Sequence, residues 1–317
     1  MTTSLPTRAL PGTERVITRL GLGAMHLSLA RRPPRDEAKA VVRRAVEAGI
    51  RLIDTADAYA LDDADMGHNE RLVAEVLREM GVDLAARDAP VVATKGGRTR
   101  PGGSWAIDGR PEHLRAACHA SLERMGLERI SLYQLHTPDP DVPFTESVGA
   151  LARLREEGKV EAVGLSNVSV AQIDEARALV PVATVQNSLS PWDVGIRKSP
   201  VLACCERHGI VFMAYSPLGG RERAAMLGGA EALQAVAREV GASPQEVVLA
   251  WLVARSDMLV PIPGASRTES VDSTVRAAGL ALAPEVQASV LRALRALPGR
   301  AGLGARVVGK LRRILGR

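Results

Sequence analysis

Cysteine is scarce in this chain: Cys118, Cys204 and Cys205 are the three in 317 residues. An odd number cannot all pair, and the adjacent two fall on a predicted helix, where a mutual disulfide would be strained. With no C-x-x-C and no Cys/His cluster, no metal site is expected, and a reducing cytoplasm is the expected setting. No stretch of about 18 apolar residues occurs, which excludes a transmembrane helix from the expectation. Met1–Gly12 carries no long apolar run ahead of a cleavage site, so no signal peptide is expected. Aromatics make up 3% of the chain, so the position of each Trp and Tyr is informative. Also lacking is a G-x-G-x-x-G run after the first predicted strand, where Gly21-Leu22-Gly23-Ala24-Met25-His26 stands instead.

Charge of one sign is missing from the body. The net charge is +5, yet Arg300, Arg306, Lys310, Arg312, Arg313 and Arg317 follow Pro298 with no acid among them. Without that segment, 35 basic residues face 36 acidic ones. A nucleic-acid footprint needs a basic face on the fold itself, so nucleic acid is not an expected partner.

What is present is strict alternation of short apolar runs with amphipathic stretches. The predicted strands are Arg19–Gly23, Leu52–Asp54, Val91–Thr94, Ser131–Leu135, Ala162–Leu165, Thr184–Gln186, Val211–Tyr215 and Leu259–Pro261. The predicted helices are Asp36–Ala48, Asn69–Met80, Pro111–Met125, Thr145–Glu157, Val170–Ala178, Pro200–His208, Ser243–Ala254 and Thr268–Ala278. Ser243-Pro244-Gln245-Glu246 reads as a capping box with Pro at the first helical position. Eight strand–helix units predict a parallel (β/α)8 barrel, and no boundary interrupts residues 1–298. An open doubly wound sheet would want the Gly-rich loop that is lacking.

In such a barrel the working face lies at the C-terminal ends of the strands. Asp54 ends strand 2 and Tyr59 follows in its loop; Lys95 ends strand 3; His136 ends strand 4. Singly, an Asp there caps a helix, a Tyr packs and a Lys reaches solvent. Together they project into one bowl and suit carbonyl reduction. A free phenol is a poor acid at neutral pH, and a nearby ammonium would lower its pKa. Lys95 is therefore expected to tune Tyr59, Asp54 to keep Lys95 charged, and His136 to orient the carbonyl. His68 and Asn69 read as the cap of the second helix. A metal-dependent barrel would need further His and carboxylates on strand ends, and only His136 fits.

At these residues the sequence resembles the aldo-keto reductase family. The likeness runs from about Thr18 to Leu297. It rests on Arg51–Ala56 with Tyr59, Ala93-Thr94-Lys95, Leu132–His136, Gly158-Lys159-Val160 leading to Gly164–Asn167, Ala214–Leu218 and Ile262-Pro263-Gly264. The resemblance implies an NADPH-dependent reductase, with NADH also open, binding its cofactor across the barrel mouth. It implies that Ser166, Asn167 and Gln186 hold the nicotinamide amide, that Tyr215 stacks on the ring, and that Ser216, Pro217 and Leu218 cross the pyrophosphate. Gly264, Ala265, Ser266 and Arg267 turn into the last helix, with Ser266 and Arg267 placed for a 2′-phosphate. The sequence departs from the family where Arg or Gln and then Glu-Asn grip the adenosine: Ser270, Ser273 and Thr274 stand there.

The expected pocket walls are Met25 and His26, Trp105 in a Gly-rich loop, and Trp192. Trp105 either folds over a ligand or covers the barrel rim. The expected partner is a small-molecule carbonyl compound. A regulatory, redox-sensing subunit of the same fold is the alternative, since some relatives serve channels that way. Residues 299–317 form a basic amphipathic segment, with Val307, Val308, Leu311, Ile314 and Leu315 on one arc. It either packs loosely on the barrel or makes a weak contact with a partner or an anionic membrane surface.

Overall fold

A computed structural model of the chain describes residues 5–192 and 199–297. The basic segment at 299–317 lies outside the described residues.

The chain opens with an antiparallel hairpin, β1 (Thr7–Ala9) and β2 (Val16–Thr18). Then come β3 (Leu22–Gly23), β4 (Leu52–Asp54) and β5 (Val91–Gly96). A second hairpin, β6 (Arg98–Thr99) with β7 (Ala106–Ile107), rises from the end of β5. The remaining strands are β8 (Ile130–Leu135), β9 (Val160–Ser166), β10 (Val182–Ser188), β11 (Val211–Tyr215) and β12 (Leu259–Ile262). Between them run α1 (Arg35–Glu47), α2 (His68–Glu79), α3 (Pro111–Met125), α4 (Phe144–Glu156), α5 (Val170–Arg177) and α6 (Pro200–His208). After β11 come α7 (Arg221–Gly229), α8 (Glu231–Glu239) and α9 (Pro244–Ala254), and after β12 come α10 (Thr268–Gly279) and α11 (Pro284–Arg295). None of the described helices is long and apolar enough to cross a membrane.

Eight parallel strands lie in the order β3-β4-β5-β8-β9-β10-β11-β12. The ends of this sheet meet: Gly21 N–H donates to Pro261 O and Gly23 N–H to Pro263 O, each at 3.0 Å, and Gly23 bridges Gly264 in parallel. A Cβ on Gly23 would sit 2.9 Å from Ile262 O, so glycine is what lets the closing strands approach. The predicted (β/α)8 barrel is the fold. Local signals held too. Ser243 and Glu246 form the capping box of α9, with Pro244 at its first position.

Strand side chains alternate between two cores. Leu52, Val91, Ala93, Leu132, Ala162, Val211, Met213 and Val260 fill the barrel interior, while Ile53, Val92, Tyr133, Val163, Val185 and Phe212 face the helices. Leu10 and Ile17 of the first hairpin are fully buried in the interior cluster. That hairpin plugs the N-terminal end, and its three-residue strands were too short to announce themselves. The other end is left for chemistry. Counting in twos from the interior residues gives Asp54, Lys95, His136 just past β8, Ser166 and Tyr215 at this end; on β10 a register shift between Val182 and Thr184 turns Thr184 and Gln186 inward.

Candidate active site

Asp54 and Lys95 sit on neighbouring strands β4 and β5, and their side chains meet inside the barrel. Lys95 Nζ donates to Asp54 Oδ1 at 2.7 Å, to Thr55 O at 2.8 Å and to the Tyr59 hydroxyl at 3.1 Å. The lysine side chain is 1% exposed and the aspartate 4%. Such a pair persists out of water only when its remaining polar atoms are satisfied. Asp54 Oδ1 is indeed shared: it also accepts from Gln186 Nε2 at 2.8 Å. Gln186 therefore braces the carboxylate, a contact that sequence reading missed.

Tyr59 is carried by the loop after β4, and buried polar groups hold that loop. Asp57 Oδ1 accepts from Ala58 N–H at 2.6 Å, and Asp57 O accepts from Gly67 N–H at 2.7 Å. Burial, then the neighbouring Glu70, raises the Asp57 pKa well above its ordinary value. Glu70 in turn pairs with Arg124 at 2.6 Å. Asn69 is not a cap. Gly67, at φ 76°, occupies the N-cap of α2, and Asn69 lies fully buried one residue inside the helix. It donates to Ala24 O at 2.9 Å and Ser28 Oγ at 2.7 Å and accepts from Thr55 Oγ1 at 2.6 Å, tying the loops after β3 and β4 together.

The electrostatics differ from expectation in one respect. Burial, and then the Asp54 carboxylate, push the Tyr59 phenol well above its ordinary pKa. The Lys95 ammonium lies beside the hydroxyl, but Asp54 already balances its charge, so desolvation wins. Burial likewise lowers Lys95, with Asp54 pulling back towards the charged form. His136 follows β8, with its ring edge-on to Tyr59 at 5.7 Å between centroids. Burial, then Lys95 and Arg98, hold its pKa well below the usual histidine value, so the ring is neutral at pH 7. Among the described residues neither ring nitrogen has a hydrogen-bond partner, and Nδ1 is fully buried.

Ser166, Asn167 and Tyr215 come together on the far side of the mouth. Asn167, at φ 60°, donates from Nδ2 to His136 O at 2.9 Å and to Ser166 Oγ at 3.1 Å. Its Oδ1 accepts from the Tyr215 hydroxyl at 2.8 Å. Ser216 also adopts a left-handed backbone, φ 51°, and its carbonyl accepts from Gly219 N–H at 2.7 Å. Pro217 is buried and Leu218 packs into the core. Gly264 and Ser266 precede Arg267, the N-cap residue of α10, whose exposed side chain makes no hydrogen bond or ion pair among the described residues. Two turns on, the Thr274 hydroxyl is engaged at home, donating to Ser270 O at 2.9 Å.

Of the expected walls, Met25 and His26 form a short 3-10 turn after β3, with the His26 ring over Gly264. Trp105 lies edge-on to His136 with centroids 6.3 Å apart. Trp192 is buried against Gly219 and beneath the Arg223 guanidinium. Sequence reading passed over Arg98 and Arg100, which flank Trp105. Their sequence signal was weak: Arg98-Thr99-Arg100 stands between two glycine pairs, too short a run for its alternation to be read.

A closed eight-stranded barrel with a buried Asp–Lys–Tyr cluster and a neutral His at its C-terminal mouth defines the class. The model of the aldo/keto reductase family matches residues 19–294. An uncharacterised oxidoreductase of Schizosaccharomyces pombe is 34% identical over 282 residues, 87% of each chain. A probable aldo-keto reductase of Glycine max is 31% identical over 299 residues, 84% of this chain and 82% of that one. Among solved structures, a glycerol dehydrogenase from Gluconobacter oxydans superposes with TM-score 0.79 at 26% identity, covering 92% of this chain and 96% of its own. The chain belongs to the aldo/keto reductase family, and its relatives are oxidoreductases.

Proposed function

We propose that the protein reduces an aldehyde or ketone to an alcohol, with NADPH preferred over NADH. The observation that carries this reading is a single buried ammonium, Lys95, contacting both the Asp54 carboxylate and the Tyr59 hydroxyl beside a neutral His136. The similar structure from Gluconobacter, a glycerol dehydrogenase, supports an oxidoreductase reading.

When bound, the nicotinamide dinucleotide supplies the hydride. Ser166, Asn167 and Gln186 would hold its amide, Tyr215 its ring face, Ser216, Pro217 and Leu218 its pyrophosphate, and Ser266 and Arg267, on the turn that Gly264 opens, its 2′-phosphate. The residues fit an elongated anion. A Cβ on Gly264 would come within 2.7 Å of His26 Cδ2, so side-chain bulk is kept out there. Arg267 stands free at the start of a helix whose first amides favour negative charge.

Tyr59 gives the proton. Its raised pKa keeps the hydroxyl protonated at rest. As negative charge builds on the carbonyl oxygen, the proton moves from the phenol to that oxygen, and the Lys95 hydrogen bond stabilises the phenolate left behind. Asp54 keeps Lys95 charged through this, and Gln186 keeps Asp54 from turning away. His136, being neutral, donates one N–H to the carbonyl oxygen and fixes its direction without competing for the proton. A cytoplasmic setting belongs with this reading, since the three buried cysteines are free thiols.

The test is loss of NADPH absorbance across a panel of aldehydes and ketones, matched against alcohol formed. Consumption with stoichiometric alcohol is the expected result. Tight NADPH binding with no turnover of any carbonyl would overturn the reading and favour a sensing role.

A further inference from the structure

Arg98 has no part in the proton transfer just described, yet it stands in the same mouth. It is half-buried on β6, and the two groups that act on its charge are the Tyr215 and Tyr59 phenols. Its charge reaches the other side of the site as well, helping to keep His136 neutral. The guanidinium lies 5.6 Å from the Trp105 ring centroid, and Arg100 packs on that ring at 4.2 Å. Arg100 is itself anchored by donating to Leu61 O at 3.0 Å. Trp105, edge-on to His136, thus forms a fixed wall that carries Arg98 towards the reacting end of the bowl.

What Arg98 lacks is an acid. Arg15 and Arg124, also withdrawn from water, pair with Glu161 at 2.7 Å and Glu70 at 2.6 Å. Arg98 donates from Nε to Thr137 Oγ1 at 3.2 Å, and its two terminal nitrogens have no hydrogen-bond partner among the described residues. Those terminal nitrogens keep access to the open mouth, where a ligand can reach them, and the half-buried charge has no counter-charge among the described residues to offset its partial desolvation. The terminal nitrogens form a planar fork that matches a carboxylate through two parallel hydrogen bonds. The cofactor's phosphates are not that partner. The residues suited to them follow β11 and β12, across the ring from β5 and its hairpin.

We propose that Arg98 selects the substrate: the carbonyl compound carries a carboxylate, which docks on the Arg98 fork while its carbonyl oxygen faces Tyr59 and His136. The assignment rests on the reductase reading above and names the substrate class of the same site. Trp105 adds an apolar face for the carbon chain between the two polar ends.

The experiment compares 4-carboxybenzaldehyde with 4-methylbenzaldehyde, a pair close in size and differing in charge. The readout is the ratio of their kcat/KM values in the parent, Arg98→Gln and Arg98→Lys. Because both substrates are measured on one preparation, the ratio does not depend on how much of a variant is folded. The parent should favour the carboxylate by about tenfold or more, the lower end of what a charge-assisted hydrogen bond contributes. Arg98→Gln should abolish that preference, and Arg98→Lys should keep part of it through charge without the fork. A parent with no preference for the carboxylate, or a ratio unmoved in Arg98→Gln, overturns the proposal. Calorimetric titration with benzoate separates this failure from failure of the reductase reading. If neither aldehyde is reduced, benzoate binding that is lost in Arg98→Gln still upholds the carboxylate site. Equal binding, or none in the parent, removes it.

Discussion

Lys95 is the residue on which most of the site depends. It is a fully buried cation with three acceptors, and one of them, Asp54, is a buried anion. The mutual attraction of such a pair roughly offsets its desolvation, so the intact pair adds little net stability. Removing one member is another matter, because the survivor is left charged in an apolar surround. Lys95→Met should therefore destabilise the fold by about 3–5 kcal/mol. Adding Asp54→Asn to that variant should recover part of the loss, since no bare carboxylate remains. Chemical denaturation of the two variants beside the parent measures both. A Lys95→Met midpoint equal to the parent's would mean that Asp54 is far better solvated than its burial implies.

At the scale of single elements, strand parity does the positioning. Asp54, Lys95, His136, Ser166, Gln186 and Tyr215 converge because each holds an inward position at the C-terminal end of its strand; strand ends made Asp54, Lys95 and His136 legible, whereas Ser166, Gln186 and Tyr215 came from the family resemblance. The eight barrel strands and eight of the helices were read to within a few residues from the alternation of apolar runs with amphipathic stretches. Both hairpins were missed because their strands are two or three residues long, below the length at which a period of two can be seen. The helices α7, α8 and α11 went unread as well; α7 is nearly all exposed or half-buried and shows little apolar periodicity. Missing the second hairpin also hid Arg98, whose importance comes from what β6 packs beside rather than from any local motif.

The start of α10 makes the other element-scale prediction. Thr274 is committed to Ser270 O, so the charged group proposed to read a 2′-phosphate here, beside Ser266, is Arg267. Arg267→Ala should weaken NADPH binding by about 1.5–3 kcal/mol, the usual worth of a hydrogen bond to a charged group. NADH lacks that phosphate and should bind nearly as before. Fluorescence titration with each dinucleotide decides it: equal losses would show that Arg267 shapes the loop and does not read the phosphate.

Taken whole, the molecule separates stability from chemistry along the barrel axis. The first hairpin closes one end with Leu10 and Ile17, apolar layers fill the middle, and charged and polar side chains occupy the other end. A polar layer marks the boundary, where Thr184 Oγ1 donates to Gln134 Oε1 at 3.2 Å. Gly164 keeps that layer open, since a Cβ there would fall 2.2 Å from Thr184 Oγ1. The direction of the Tyr59 pKa was not legible in the sequence, because burial and the Asp54–Lys95 balance exist only after folding. The central claim is that this end of the barrel places a protonated Tyr59 to complete carbonyl reduction. Single-turnover reduction of an aldehyde by NADPH-loaded Tyr59→Phe, with NADPH affinity measured on the same sample, tests it most directly. The rate should fall at least about a hundredfold, the usual loss when a general acid is removed, with cofactor affinity close to the parent's. A variant that binds NADPH normally and reduces the aldehyde at near the parental rate would contradict the account.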